Sequence, residues 1–446
     1  MGNKTYNIIT IGCQMNKSDS ERVAGYLENL GYKWSNNKYQ ADLVVVNTCG
    51  VRQSAEDRVY GIIPRIKKQN SKVKIILTGC LSERKDVQKR LRDKVDIWLP
   101  ITQISNFQFL ISNKISNPKS QIPNYLELKP KYQSKFSAFV PIGNGCDNFC
   151  TYCVVPNARG REIYRPVNEI IDEARELVER GYKEIILIAQ NVNSYNSPFT
   201  PKNANPPAGG RQKINFASLL KLINNIPGNF WIRFATSHPK DMSGELIKTI
   251  AECDKICRHI HLPAQAGDNE ILKKMNRGYT VEHYKKLIKR IRQAMPNASI
   301  TTDIIVGFPG ETKRQFNRTV KLFKEMKFDM AYIAQYSSRP GTAAEKLDDD
   351  APKEEKKRRE RELMVVLRKT ALENNKKYIG KAVDVLVEGK NKKGEWYGKT
   401  RTSKNVKIKI QTHCDASVQG KKDLVGEFVK VKINRARDFG LKGEVA

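Results

Sequence analysis

The 446-residue sequence predicts an α/β chain of three units: a parallel, helix-covered sheet at the amino end, a curled β/α sheet in the middle and a small β-barrel at the carboxyl end. Three observations support this. Buried-type apolar runs alternate with amphipathic helical stretches in two successive series. A polar segment at 113–135, with Pro118, Pro123 and Pro130 and no clean periodicity, separates the two series. Beyond Lys376 the pattern changes to short alternating strands broken by Gly389, Gly394, Gly420 and Gly426. The expected divisions are 1–120, 132–362 and 376–446.

In the first unit, apolar runs at 6–12, 41–48 and 73–79 are followed at once by Cys13, Cys49 and Cys80. Helical stretches at 18–30 and 54–68 lie between them, which favours a parallel sheet. Parallel strands end on one side, and ligand sites of such sheets form outside those carboxyl ends, so three thiols in this register can converge on one locus. A lone cysteine is more often a small buried hydrophobe than a ligand; the repetition of context is what points to a second metal cluster.

The middle unit has strand-like runs at 136–141, 184–188, 231–234, 259–262, 299–306 and 330–333, alternating with helices such as 168–180 and 281–293. Pro166 near the start of the first of these helices and Gly181 just past its end are typical boundary residues. Its distinctive word is Cys146-x3-Cys150-x2-Cys153, set among the turn-formers Gly143, Asn144, Gly145, Asp147 and Asn148. Thiolates suit iron–sulfur clusters, and three of them on a four-iron cubane leave one iron open to a ligand, the arrangement of catalytic metal sites. A structural zinc knot needs a fourth close ligand, whereas the next histidine is His238. Cys253 and Cys257, on what reads as the end of a helix, and the solitary Cys414 are expected to be structural.

A charged helix at 348–375 leads to the third unit, where strands are expected at 382–388, 406–410 and 428–433. There Lys and Arg outnumber Asp and Glu more than two to one, with Trp396, Tyr397 and Phe439 interleaved, a composition suited to phosphate contacts and base stacking. The whole chain has net charge +33, which favours a polyanionic partner, RNA above all. Nine cysteines and no signal-like segment point to a reducing compartment, the cytoplasm, and no apolar run approaches the ~20 residues that span a bilayer.

The Cys-x3-Cys-x2-Cys motif, with the aromatic Tyr152 beside its last cysteine, resembles that of the radical S-adenosylmethionine (SAM) enzymes. Several further words resemble the methylthiotransferases among them: Gly12-Cys13-Gln14-Met15-Asn16 with Asp19-Ser20-Glu21, Asn47-Thr48-Cys49 with Val51-Arg52, Pro156 with Arg159-Gly160-Arg161-Glu162, Gln190-Asn191-Val192-Asn193, and 303–312. Gly398-Lys399-Thr400-Arg401 resembles the TRAM domain, an RNA-binding barrel. The resemblance covers nearly the whole chain. It implies a partial six-strand TIM-like barrel in the middle unit, a 4Fe–4S cluster on Cys146, Cys150 and Cys153 that cleaves SAM, and an auxiliary 4Fe–4S cluster on Cys13, Cys49 and Cys80.

The implied activity is methylthiolation of N6-isopentenyladenosine beside the anticodon of tRNA, with SAM as methyl donor and radical source. The implied partners are the tRNA anticodon stem-loop, an electron donor such as flavodoxin or ferredoxin, and a sulfur donor. Threonylcarbamoyl-adenosine in tRNA, or an aspartate of a ribosomal protein, are alternative substrates for the same chemistry. A non-catalytic iron–sulfur RNA-binding redox sensor is the alternative of a different class. Gln190, Asn191, Arg233 and Gln265, within or just after barrel strands, are the expected SAM contacts. Two stretches depart from the pattern: Ala266 stands where the family usually has serine, and the Pro/Gly-rich segment 196–215 is longer than expected, an insertion or a lid. His238, before Pro239, is expected to be a turn residue, and the glycines at 307 and 310 lack the Lys-Ser/Thr pair of a phosphate loop.

Overall fold

The computed structural model describes residues 4–51, 53–107, 125–198, 213–410 and 423–446. Cys414 and the interior of the 196–215 segment lie outside the described residues; the base of that segment is a two-stranded ribbon of Asn196–Pro198 against Lys213–Asn215.

The first series of apolar runs forms five parallel strands in the order Lys33–Trp34, Thr5–Ile11, Leu43–Thr48, Lys74–Gly79, Ile97–Trp98. The central run is buried along its whole length because helices cover both faces. Val44, Val46, Ile75 and Leu77 pack with Val59, Ile63 and Ile66 on one face, while Val45 and Ile76 pack with Val23, Leu27 and Ile104 on the other. The helix Gln53–Gln69 continues through Pro64.

The second series gives two three-stranded parallel sheets that read in space Ser137–Pro141, Glu184–Ile188, Trp231–Ala235, then His259–His261, Ser299–Val306, Met330–Gln335. The halves are stitched by the Ile232–Ile256 bridge, with Cys257 N donating to Ile232 O at 2.8 Å. Six parallel strands thus curl into a partial barrel whose alternate residues, among them Ile185, Leu187, Ile232, Ile260, Ile300 and Ile304, face the surrounding helices in one core. The helix Gly244–Glu252 stops before Cys253, so neither Cys253 nor Cys257 is helical. Cys257 is buried between the barrel and the third unit, as a structural cysteine is.

The charged helix begins at Lys353, since Pro352 fixes its start. Its charges are not all solvated: Arg359 is buried against Glu311 at 2.7 Å, and Lys356 bonds Tyr336 O. It leads to a closed five-strand barrel, Ala382–Lys390, Trp396–Thr400, Asn405–Lys409, Gly440–Val445 and Phe428–Arg437. Trp396–Thr400 and Gly440–Val445 lack a clean alternation, which is why sequence periodicity does not reveal them.

Buried ion pairs join the units. Arg159 of the barrel meets Asp19 of the first unit at 2.6 Å, both about 2% exposed in their side chains. Glu173 takes Arg165 at 2.6 Å and Arg22 of the first unit at 3.1 Å; burial pushes its carboxyl up, but the two guanidinium groups hold it below the usual range. Arg339 donates to Gln53 Oε1 at 2.6 Å. On the opposite side, Lys404 of the small barrel pairs with Asp329 at 2.5 Å, and Trp231 packs against Phe428 with tilted rings whose centroids are 4.7 Å apart.

Two stability predictions follow from these contacts. Arg159→Met leaves Asp19 buried and unpaired, which costs about 3–5 kcal/mol, and adding Asp19→Leu restores most of it; thermal unfolding of the metal-free variants checks this. Glu21 is buried with Oε2 unpartnered among the described residues, and burial pushes its carboxyl up to about 7. Its folded value lies above its unfolded one, so ionisation destabilises the fold progressively as pH rises from about 4.5 to 7, by an amount on the order of 3 kcal/mol. Glu21→Gln therefore raises the unfolding midpoint at pH 8 and changes it little at pH 5.

Candidate functional site

The strand ends of the first unit are level: Ile11 lies opposite Thr48, and Thr48 opposite Gly79. Cys13, Cys49 and Cys80 therefore leave the sheet side by side. Buried asparagines hold them there. Asn16 accepts from Cys13 N at 3.2 Å and donates to Asn47 Oδ1 at 2.9 Å, while Asn47 returns a bond to Asn16 O at 2.8 Å. A side chain at Gly12 would collide with Asn16 Oδ1 at 2.2 Å, and Gly50 lies against Cys80 Cβ at 3.2 Å. Val51 N donates to Cys49 Sγ at 3.4 Å.

Cys146, Cys150 and Cys153 occupy the loop that follows the barrel strand Ser137–Pro141. Gly145 turns it at φ +82, where a Cβ would meet Arg161 O at 2.1 Å. Asn276 pins it from across the barrel by donating to Phe149 O at 2.9 Å, and Thr151 N donates to Met275 O at 3.1 Å. Asn148 Nδ2 donates to Cys146 Sγ at 3.2 Å and Arg277 Nη1 to Cys150 Sγ at 3.3 Å. Tyr152 turns inward, edge-on to Phe308 at 6.5 Å.

None of the eight described cysteines is in a disulfide. Burial pushes the Cys146 thiol up, and that of Cys153 up to about 12, so these groups stay protonated unless a cation compensates. Iron supplies that charge, and the N–H donors aimed at sulfur suit a thiolate. Among the described residues no three His, Cys, Asp or Glu groups stand at the spacing of a single metal ion. Three thiols at each locus are the donor set of an iron–sulfur cluster that keeps one iron open. Each trio fits a 4Fe–4S cluster.

Arg159 lies within electrostatic reach of both Cys13 and Cys80, and Cys80 in turn of Cys153. Cys80 and Val154, next to Cys153, line one cleft together with Asn157, Ala158 and Gly341. The six thiols belong to two facing strand edges.

At the same end of the barrel, Gln190 Oε1, Asn191 Oδ1 and Gln265 Oε1 are buried without a hydrogen-bond partner among the described residues. Gln265 is held at φ +65, its N donating to Asp303 O at 2.8 Å. Ser237 Oγ and His238 Nε2, after the strand Trp231–Ala235, are unpartnered in the same way. Ser237 escaped the sequence reading, although its place after a strand end was a signal. Buried unpartnered polar atoms cost about 1–3 kcal/mol each, so their concentration at one end of one barrel fits a polar ligand with amine donors.

Arg233 requires a correction. It sits in mid-strand, and its guanidinium is engaged by Glu184 Oε1 at 2.5 Å, Ser403 Oγ at 2.7 Å and Thr400 O at 2.8 Å. Height along a strand decides this, and Arg233 points to the third unit, away from the thiols. His238 Nδ1 accepts from Lys240 N at 3.2 Å, and burial together with the nearby Arg277 pushes the imidazole down to about 2. It is a neutral turn residue, unsuited to carrying protons. Gly307 N donates to Glu311 Oε2 at 2.7 Å, which makes that loop a structural turn.

Models of three families match the chain: "Uncharacterized protein family UPF0004" over 5–100, the "Radical SAM superfamily" over 140–323 and the "TRAM domain" over 376–446. A solved radical SAM methyltransferase, TsrM from Kitasatospora setae with cobalamin and a 4Fe–4S cluster bound, has a similar fold, with TM-score 0.53 and 13% identity over 77% of this chain and 74% of that one. The tRNA-2-methylthio-N(6)-dimethylallyladenosine synthase of Clostridium novyi (strain NT) is 42% identical, covering 99% of this chain and 97% of its own. The synthase of the same name from Alkaliphilus oremlandii (strain OhILAs) is also 42% identical, covering 99% and 93%. With that identity sustained from end to end, the chain belongs to the tRNA-2-methylthio-N(6)-dimethylallyladenosine synthase family.

Proposed function

We propose that this protein adds a methylthio group to carbon 2 of N6-isopentenyladenosine beside the anticodon of tRNA. The observation that supports it most is the opposition of two cysteine trios across the facing carboxyl edges of two parallel sheets. Cys146, Cys150 and Cys153 would hold one cluster, three thiolates for four irons, and Cys13, Cys49 and Cys80 would hold the other. When bound, the clusters and SAM supply the radical that breaks an unactivated C–H bond and the sulfur and methyl group that replace its hydrogen.

The protein's own contribution is positioning. Asn148 and Arg277 donate to the thiolates of Cys146 and Cys150 and stabilise their charge. The buried oxygens of Gln190, Asn191 and Gln265 accept from amino groups of SAM. Asn16 and Asn47 hold the strand ends of the first unit together, and the Asp19–Arg159 pair fixes that unit against the barrel, so that the trios keep their relation.

The units 1–120, 132–362 and 376–446 act as cluster carrier, catalytic barrel and RNA binder. The basic third barrel presents Tyr397 and the rim of Trp396 to RNA, and a reduced flavodoxin or ferredoxin supplies electrons. No described helix is long and apolar enough to cross a membrane.

Nucleoside mass spectrometry of tRNA from cells with and without the gene tests the substrate. Loss of the methylthio nucleoside with accumulation of isopentenyladenosine is expected; accumulated threonylcarbamoyl-adenosine instead moves the substrate, and an unchanged profile defeats the reading. In the purified enzyme, Cys150→Ala is expected to abolish 5′-deoxyadenosine formation under anaerobic reduction. Cys49→Ala is expected to halve the bound iron and lower methylthiolation more than 100-fold. Full iron content in either variant counts against its ligand assignment.

A further inference from the structure

The barrel lumen has a polar and aromatic wall that the cluster sites leave unexplained. Along Ser299–Val306 and Met330–Gln335, Ile300, Ile304 and Ala331 enter the core under the helices, so Thr301, Asp303, Tyr332 and Ala334 face the other way, into the lumen. Asp303 lies directly opposite Tyr332 in the parallel register, and His261 opposite Thr301. Tyr332 is 54% exposed, an unusual state for a large ring on the inner face of a barrel. Beside it, Ala334 is small and exposed and leaves the space above the ring open.

Hydrogen bonding fixes the polar part. His259 Nε2 lies 3.1 Å from Thr301 Oγ1, which lies 2.9 Å from His261 Nδ1, and His261 Nε2 lies 3.3 Å from Asp303 Oδ2. With His261 donating from Nε2 to the Asp303 carboxylate, its Nδ1 is free to accept from the threonine hydroxyl, which in turn can accept from His259. The chain runs in one direction and holds Asp303 by a single oxygen. The other carboxylate oxygen has no side-chain or backbone donor among the described residues, and the Asp303 side chain is 37% exposed. The His261 ring meets Tyr332 edge to face at 5.9 Å and 70°, which orients the tyrosine ring. Tyr332 also lines a cavity that runs on to Lys399 and Lys404 of the basic third barrel.

A half-exposed aromatic ring that lines a cavity next to a basic module, with a carboxylate opposite it on the neighbouring strand, matches the way enzymes hold a base turned out of its stack: the face by stacking, the edge by hydrogen bonds. We propose that Tyr332 and Asp303 form the recognition face for the target purine, with the base stacked on Tyr332 and its N6–H donated to Asp303. His261 and Thr301 are positioning residues for that carboxylate. The proposal rests on the function given above and names the residues that select the substrate.

Steady-state kinetics and filter binding with the reconstituted holoenzyme test it, using an anticodon stem-loop RNA that contains N6-isopentenyladenosine. Tyr332→Ala is expected to raise the RNA KM and Kd about tenfold or more with bound iron unchanged, and Tyr332→Phe to stay within about twofold of the native enzyme. An RNA whose target adenine is dialkylated at N6, and so lacks the N–H, is expected to bind the native enzyme at least about fivefold more weakly, and Asp303→Asn is expected to erase that difference. This last comparison on the native enzyme does not depend on any variant folding. Native enzyme that modifies the RNA, alongside a Tyr332→Ala variant of unaltered KM and no preference for the N–H, overturns the recognition face and leaves the function standing. Native enzyme that modifies no such RNA removes both.

Discussion

A parallel sheet delivers every chain segment that leaves it to the same edge, and both thiol trios of this protein exist because of that rule. In the first unit three level strands release Cys13, Cys49 and Cys80 together; in the barrel one loop, braced from across the sheet by Asn276, releases the other three. Two reactive edges serve chemistry only if they face each other. The Asp19–Arg159 pair, nearly inaccessible to water, holds them so, with the Arg22–Glu173–Arg165 group behind it.

Buried ion pairs are a poor way to gain stability but a good way to forbid wrong arrangements. An apolar interface of the same size tolerates sliding, whereas a displaced Arg159 leaves two bare charges in a dry junction. The same argument fits the other end of the barrel, where Arg233 is locked between Glu184 and the Thr400–Ser403 turn, and Lys404 onto Asp329. Each unit is oriented by charge and then packed.

Much of this was legible in the sequence, because strand-then-cysteine is a local pattern and so is Cys-x3-Cys-x2-Cys. The alternation of strands and helices was equally local, and it placed Gln190, Asn191 and Gln265 at the carboxyl ends of barrel strands. What the sequence hid is long-range. Asp19 and Arg159 lie 140 positions apart, and neither has a neighbour that announces the other. Arg233 looked like a ligand because its strand was recognisable, yet whether a mid-strand side chain looks up or down the lumen is set by its partners Glu184 and Ser403. The helix 353–376 reads only as charged, but Arg359 is buried because Glu311 waits for it in a turn 48 residues earlier.

The third unit grips the amino ends of the barrel strands, through Trp231, Asp329 and the carbonyl of Asp254, whereas the thiols crown the carboxyl ends. Strands of up to eight residues separate the two levels by about 20 Å. The protein is therefore built as a caliper. One jaw is a basic surface and the other the edge that carries the thiols, and the cavity lined by Gln14, Tyr332, Lys399 and Lys404 runs between them. A molecule engaged by both jaws has to be a folded object of matching reach, so the geometry selects by length before any base is inspected.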